Sequence, residues 1–150
     1  MKTALLILLV HVVTVDLLRA QQAAPTERQR QQLSALISKY SRAREQRDTL
    51  LLKQILTADV DQLVSSGEWR TGLPSAVKGM QNSSSENPGS RTLTVDKIKM
   101  LSAQHAIVDC RYEIKNPDGS VRKMWSSFIL VSDKETWKVT AIRNMLPSEQ

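Results

Sequence analysis

The sequence predicts an α+β domain in which helices come first and an antiparallel sheet follows. Two observations predict this class. Apolar residues recur at helical spacing in the first half, and from Arg91 onward they alternate along successive strands separated by turn signals. The predicted order is helix, helix, strand, helix and four strands joined by hairpins (α-α-β-α-β-β-β-β). A chain of 150 residues is long enough for one domain with its own core.

The first twenty residues do not resemble part of that domain. A basic residue, Lys2, precedes the apolar run "ALLILLVHVVTV" at residues 4–15, and the segment ends on the small residue Ala20. This order is typical of a secretion signal. An uncleaved anchor or a buried helix is the alternative, but the run is shorter than the ~20 residues that span a bilayer. We therefore expect residues 1–20 to be a signal peptide, residues 21–26 a disordered leader, and the product to be exported, periplasmic or secreted, without a stable membrane anchor.

Three helices are predicted within a domain spanning residues 27–147. The first carries an apolar stripe at i, i+3, i+4 and i+7, formed by Leu33, Leu36, Ile37 and Tyr40. Asp48 and Thr49 are capping residues that restart a short second helix. Pro74 suits the first turn of the third helix. The segment "QNSSSENPGS" at residues 81–90 is rich in turn formers and is predicted to be a loop.

The strands are recognised by alternation. In the first, Val60, Gln62 and Val64 share one face. The last four are "RTLTVDKIKML", "HAIVDCRYEI", "VRKMWSSFILV" and "TWKVTAIRNML". Asp118 and Gly119 form a strong hairpin signal between the second and third of these.

Composition argues against several functions. The net charge is +6, but the basic residues are scattered and aromatic residues are few, so we expect no nucleic-acid partner. The single cysteine, Cys110, forms no internal disulfide, and its strand setting indicates a small buried apolar group. Histidine and cysteine ligands at metal-binding spacing are lacking, so neither a metal nor a cofactor is predicted.

Two stretches carry a resemblance to a known family. In "LLLKQILTADVDQLVSSGEWRTG" (50–72) a short helix leads into a strand, and glycines flank a tryptophan-containing turn. In "RKMWSSFILVSDKETWKVTAIRNMLP" (122–147) two long strands end in a polar pair before proline. Together they resemble the nuclear-transport-factor-2-like superfamily, nearest its SnoaL-like, domain-of-unknown-function branch. The resemblance implies a cone with helices over the concave side of a strongly curved antiparallel sheet, a pocket inside, and commonly a homodimer across the outer sheet face.

That superfamily includes isomerases, dehydratases, epoxide hydrolases, cyclases and binders without chemistry, so the fold does not choose a function. Its catalytic sets find no matching motif here. Candidate residues must instead be judged by the sheet face on which alternation places them.

Adjacent serines in "RKMWSSFILV" point to opposite faces of one strand. Ser126 shares a face with Phe128, and Ser127 shares the other with Trp125. We favour Ser126 and Phe128 as residues lining the pocket, with Ser127 beneath a dimer contact, although alternation alone does not decide which face is inner.

The remaining candidates lie on other strands. Asp61 is the best single acid and Tyr112 is expected to face inward, so a proton-transfer scheme has Asp61 as base, with Tyr112 or Asn144 polarising an oxygen. One of Arg143 and Asn144 must face the interior, where arginine binds an anion and asparagine orients a carbonyl or water. Trp69 either covers the pocket or anchors its own turn.

Three hypotheses result. The first is an exported domain that binds a small apolar or mixed-polarity molecule inside the cone. The second is an enzyme of the same fold, an isomerase, dehydratase or hydrolase, that uses Asp61. The third is an interaction module that binds protein through the outer sheet face.

Overall fold

The computed structural model describes residues 24–86, 88–134 and 136–147. The predicted signal peptide lies outside the described residues. The helices are α1 (Glu27–Glu45), α2 (Thr49–Ile55) and α3 (Leu73–Glu86). The strands are β1 (Leu56–Leu63), β2 (Trp69–Thr71), β3 (Ser90–Ser102), β4 (His105–Lys115), β5 (Val121–Asp133) and β6 (Thr136–Met145).

A capping box at Thr26 and Gln29 starts helix α1. The Thr26 hydroxyl accepts from the Gln29 amide, and the Gln29 side chain accepts from the Thr26 amide, which completes a capping box. The predicted stripe is buried, and Arg44 extends it by one further turn. Asp48 caps α2 by accepting from the amide of Leu51.

The predicted α+β class is confirmed, with three helices on one sheet. The sheet has six strands in the order β2-β1-β6-β5-β4-β3. All neighbours pair antiparallel except β1 and β6, which run parallel, so the sheet is mixed. The parallel pair arises because the chain crosses over through α3 after β2, and its final strand then returns beside β1.

A β-bulge in β6 sets the faces of the functional residues. Ile129 pairs with Ala141, but its neighbour Leu130 pairs with Val139, which leaves Thr140 as the extra residue. Val139 is buried on the inner face. Beyond the bulge the alternation is inverted, so Ile142 lies on the inner face and Ala141 on the outer one.

The core lies between the helices and the inner face. Its largest fully buried side chain is Phe128, which meets Tyr40 edge-on with ring centroids 5.1 Å apart. Leu33, Ile37 and Leu52 are also fully buried there. The curved sheet and its helices therefore form a cone with a well-packed body.

The loop predicted at residues 81–90 is wrong in its first part. Helix α3 continues to Glu86. Ser84 is buried within this extension, and the Ser85 hydroxyl donates to the Gln81 carbonyl. Tertiary packing of Ser84 overrides the turn preference of the sequence.

Candidate functional site

Among the described residues, five polar side chains are buried with the apolar core: Arg44, Gln62, Arg70, Ser84 and Ser126. We call these five residues the buried polar layer. They come from α1, β1, β2, α3 and β5. Burying a polar group without full hydrogen bonding costs free energy, so a polar set of this kind requires an explanation.

The register of the sheet locates this layer. Phe128 lies opposite Val108 and Ile142. Two residues closer to the β4–β5 turn, Ser126 lies opposite Cys110 and Asn144. Ser126 and Asn144 therefore lie just beyond Phe128 on the inner face, whereas Gln62 pairs with Ile142 and lies level with Phe128.

Arg44 extends from α1 toward α3. Its guanidinium donates to the Tyr40 hydroxyl at 3.2 Å and to the Ser84 hydroxyl at 3.4 Å. The Tyr40 hydroxyl also lies 3.9 Å from the sulfur of Met80. Burial, opposed by the nearby Arg44 charge, raises the pKa of Tyr40, so the phenol stays neutral at physiological pH.

Arg70 enters the layer from the short strand β2. Its guanidinium donates to both carboxylate oxygens of Glu68, at 2.9 and 3.1 Å, and to the Gln62 side chain at 3.5 Å. Arg70 pairs with Gln62 in the sheet, so both side chains share the inner face. The hydrogen bonds from Arg70 hold the pKa of Glu68 below its usual value.

Ser126 lies on the inner face, as expected. Its hydroxyl donates to the Asn144 side-chain oxygen at 2.6 Å. Beside it, burial raises the pKa of Cys110 to about 12, with a smaller contribution from Asp109. A thiol with that pKa stays protonated at neutral pH and is not a nucleophile.

Tyr112 also faces inward and is 8% exposed. With Ile114 and Met124 it forms a second apolar cluster, separate from the main core except through Leu93, which packs against both. The buried apolar side chains thus form two clusters. On β5, Ser126 of the polar layer lies between Phe128 of the main core and Met124 of the second cluster.

The outer face carries the other candidates. Arg143 donates to the two carboxylate oxygens of Asp61 at 2.8 and 3.2 Å, and its guanidinium lies 4.7 Å from the ring centre of Trp69. Register places these residues with Leu63 and Ser127. Ser127 donates to Asp109 on the same face.

Two predicted pocket residues are therefore misplaced. Arg143 faces outward because the bulge at Thr140 inverts the alternation, and Asn144 is the residue that faces inward. Trp69 does not cover the interior, because β2 pairs with β1 and directs Arg70 inward instead.

The predicted proton-transfer scheme is also wrong in its geometry. Asp61 lies on the outer face in an ion pair with Arg143, whereas Tyr112 and Asn144 lie on the inner face. A carboxylate on one side of a sheet has no hydrogen-bond contact with groups on the other.

Three cavities of about 430, 420 and 380 Å³ lie around the rim of the molecule. The first lies at the start of α1, beside Trp137. The second lies beside Val131 on β5, and the third between α1 and Leu93. None of the three is lined by a predicted site residue, so none of these volumes is the predicted interior pocket.

Within residues 24–86, 88–134 and 136–147, no three His, Cys, Asp or Glu side chains are grouped to hold a metal. In the same described ranges, no helix has both the length and the apolar character needed to cross a bilayer.

Sequence reasoning missed Arg44 and Arg70. The signal for Arg44 was present, because Leu33, Ile37, Tyr40 and Arg44 occupy successive turns of one helical stripe. Arg70 had no comparable signal, because β2 has only three residues and its segment is predicted to be a turn. Gln62 shares a face with Val60 in the sequence, which predicts its burial correctly.

Comparison with known proteins identifies the fold. No family model matches the sequence, and no curated protein matches it. Solved structures do match. An NTF-2-like protein of unknown function from Shewanella oneidensis MR-1 shares 18% identity over 77% of this chain and 98% of its own, with a TM-score of 0.66. A domain of unknown function with a cystatin-like fold from Nostoc punctiforme PCC 73102 shares 13% identity over 83% and 80%, with a TM-score of 0.73.

An NTF2-like protein of unknown function from Pseudomonas putida KT2440 shares 11% identity over 84% of this chain and 92% of its own, with a TM-score of 0.69. At these identities the likeness establishes the fold and nothing finer. The chain has the NTF2-like, cystatin-like fold.

Proposed function

We propose that this protein binds a small, partly apolar molecule inside the cone, at the buried polar layer. The observation that carries the proposal is the burial of five polar side chains among the apolar residues of the cone, with Ser126 placed on β5 between Phe128 of the main core and Met124 of the second cluster. Ligand sites in proteins combine apolar walls with a few convergent polar groups, and the buried polar layer has that composition.

The walls of this region suit a site that opens on binding. Met80 contacts Tyr40 in the layer, and Met124 lies opposite Tyr112 beyond it. Methionine side chains change rotamer and repack at low cost. We infer that a ligand displaces part of this methionine packing and hydrogen-bonds to Asn144, Ser126 or the layer arginines.

Native mass spectrometry of the full chain purified from cells tests the proposal. We expect a mass in excess of a whole number of chains, released on denaturation and absent from a Ser126→Phe variant that fills the layer. A matched Ser127→Phe variant changes the outer face and is expected to keep the excess mass. Absence of bound mass under every purification condition, with no small molecule that stabilises the fold, would contradict the proposal.

A second proposal concerns the outer face. We propose that it binds a second copy of this chain. Trp125 lies opposite Met145, and the two side chains are 39% and 45% exposed. Asp61 is in an ion pair with Arg143, and the Asp109 carboxylate accepts a hydrogen bond from the Ser127 hydroxyl, so these outer-face groups keep their partners when the face is covered.

Analytical ultracentrifugation tests the second proposal. Trp125→Lys places a charge in the proposed contact and is expected to convert a dimer into a monomer. Leu50→Lys, at an apolar side chain that is 70% exposed on α2, is the matched control and is expected to remain dimeric. A wild-type protein that is monomeric at all concentrations contradicts the dimer.

Two finer assignments rest on sequence alone and are also proposals. Export, with cleavage near Ala20, is supported by the order of basic, apolar and small residues at the start of the chain. N-terminal sequencing of protein recovered outside the cytoplasm tests it, and an intact Met1 there would contradict cleavage. Placement in the SnoaL-like branch is supported by the two quoted stretches.

A further inference from the structure

No acidic side chain among the residues that the structure describes forms an ion pair with Arg44. Two of its five N–H groups donate to the uncharged hydroxyls of Tyr40 and Ser84. Its Nε–H is buried and has no acceptor among the residues that the structure describes. The side chain is only 6% exposed. A guanidinium remains ionised at any physiological pH, so this is a buried cation without a counter-charge.

Neighbouring arginines differ from Arg44 in this respect. Arg47 and Arg91 donate to the main-chain oxygens of Ser84 and Ser83, at the negative end of the α3 dipole. Arg70 is paired with the carboxylate of Glu68. Arg44 lies in the last turn of α1 and donates to the Ser84 hydroxyl near the end of α3, so the negative helix ends partly offset its charge, but no carboxylate among the described residues pairs with it.

We propose that the ligand of the cone carries one carboxylate on an otherwise apolar body, and that Arg44 binds that carboxylate. This inference rests on the proposed function and names the chemical class of the ligand. A guanidinium offers parallel N–H groups that match a carboxylate, and charge-assisted bonds of this kind are strong where water is scarce. A single uncompensated positive charge fits a monoanion.

The groups around Arg44 also suit a ligand with a carboxylate head and an apolar body. Tyr40, which stays neutral, and Ser84 hold the guanidinium in place through their hydroxyls. Phe128 packs edge-on against the Tyr40 ring, and the Met80 sulfur lies 3.9 Å from the Tyr40 hydroxyl, so both side chains offer contact for a hydrocarbon tail. The other charged group acting on Tyr40 is Arg70, which adds to the positive potential, so an anionic head is favoured over a cationic one.

The experiment compares carboxylates with their uncharged counterparts. The probes are straight-chain carboxylates from acetate to octanoate and the primary amides of the same chain lengths, with thermal unfolding of the full chain at neutral pH as the readout. We expect longer carboxylates to raise the unfolding midpoint of the wild type more than the matched amides do, because a ligand that binds only the folded state stabilises it.

Three variants test whether Arg44 is responsible for the preference for carboxylates. Arg44→Met keeps length and removes the charge, and is expected to weaken carboxylate binding by about tenfold or more and amide binding by much less, so that the preference for the carboxylate is lost. Arg44→Lys keeps a charge without the planar fork and is expected to give an intermediate affinity, which keeps the test valid if the methionine variant fails to fold. Arg30→Met makes the same change on the same helix, where the side chain is 53% exposed, and is expected to behave as wild type.

The outcomes separate this inference from the proposed function. Equal shifts by carboxylates and amides, or a carboxylate preference that survives in Arg44→Met, overturn the inference and leave a neutral-ligand site in the cone. If no probe binds, the inference is tested by the chemical class of the molecule that native mass spectrometry releases from the protein. An acid supports the inference, a neutral compound overturns it, and no bound molecule at all removes the proposed function together with the inference.

Discussion

A methyl group added at Gly79 would test whether Arg70 is held inside the cone. Gly79 lies in the middle of α3, where alanine ordinarily stabilises a helix by about 1 kcal/mol relative to glycine. Here a Cβ atom would overlap the Nε and Cδ atoms of Arg70 and would lie 2.7 Å from its Cζ atom. We therefore expect Gly79→Ala to expel the Arg70 side chain and to destabilise the protein.

The magnitude follows from the contacts that Arg70 loses. Its two hydrogen bonds to the exposed Glu68 are screened by water and contribute little. Gln62 is 1% exposed, and without its partner it becomes a buried unsatisfied group at a cost of about 1–3 kcal/mol. After the helix gain of about 1 kcal/mol is subtracted, the expected loss in the free energy of unfolding is about 0–2 kcal/mol.

Urea unfolding of a double-mutant cycle measures this loss. In an Arg70→Ala background the overlap is gone, so Gly79→Ala is expected to stabilise the protein by its ordinary helical amount of about 1 kcal/mol. The opposite signs in the two backgrounds are the signature of the contact. Gly79→Ala that stabilises the otherwise wild-type chain would refute the reasoning, because Arg70 would then not lie against α3.

Two other substitutions have defined outcomes. Because the pKa of Cys110 is raised to about 12 from 9.0, the folded state retains its proton while the unfolded thiol loses it. The stabilisation from the protonated thiol is therefore fully present below pH 9 and falls as the pH rises toward 12. Between pH 8 and pH 10, the free energy of unfolding is expected to fall by about 1.4 kcal/mol more in wild type than in Cys110→Ala. Urea unfolding measures this difference. Equal losses in the two proteins would show that the thiol is not buried. Asp61→Asn removes an ion pair whose side chains are 34% and 29% exposed, and it is expected to cost about 1 kcal/mol or less, with a smaller effect at high salt. It is also expected to leave the mass of any bound molecule unchanged, and loss of that molecule would assign Asp61 to the interior site.

The sequence predicted the elements whose periodicity is uninterrupted. The stripe from Leu33 to Tyr40 is buried as expected. Ser126 shares a face with Phe128, as alternation predicts, and the burial of both identifies that face as the inner one. These predictions succeed because one buried face imposes a simple period on the chain.

Predictions failed where one residue or one tertiary contact changes that period. A single extra residue at Thr140 exchanges the faces that simple alternation would give Arg143 and Asn144. The local sequence contains no pattern that predicts this bulge. The strand β2 has only three residues, too few for alternation to identify Trp69 as outward-facing. The end of α3 is held by the buried Ser84, whose partner Arg44 is 40 residues earlier in the sequence.

The most direct test of the central claim is where a ligand contacts the protein. Methionine methyl groups report this by nuclear magnetic resonance, because Met80 and Met124 are buried on the inner side whereas Met145 is exposed on the outer face. When octanoate is added, the account predicts saturable shifts of the Met80 and Met124 signals with Met145 unchanged. Shifts confined to Met145, or no saturable shift at the two inner methionines with either octanoate or the molecule released from the native protein, would contradict a binding site inside the cone.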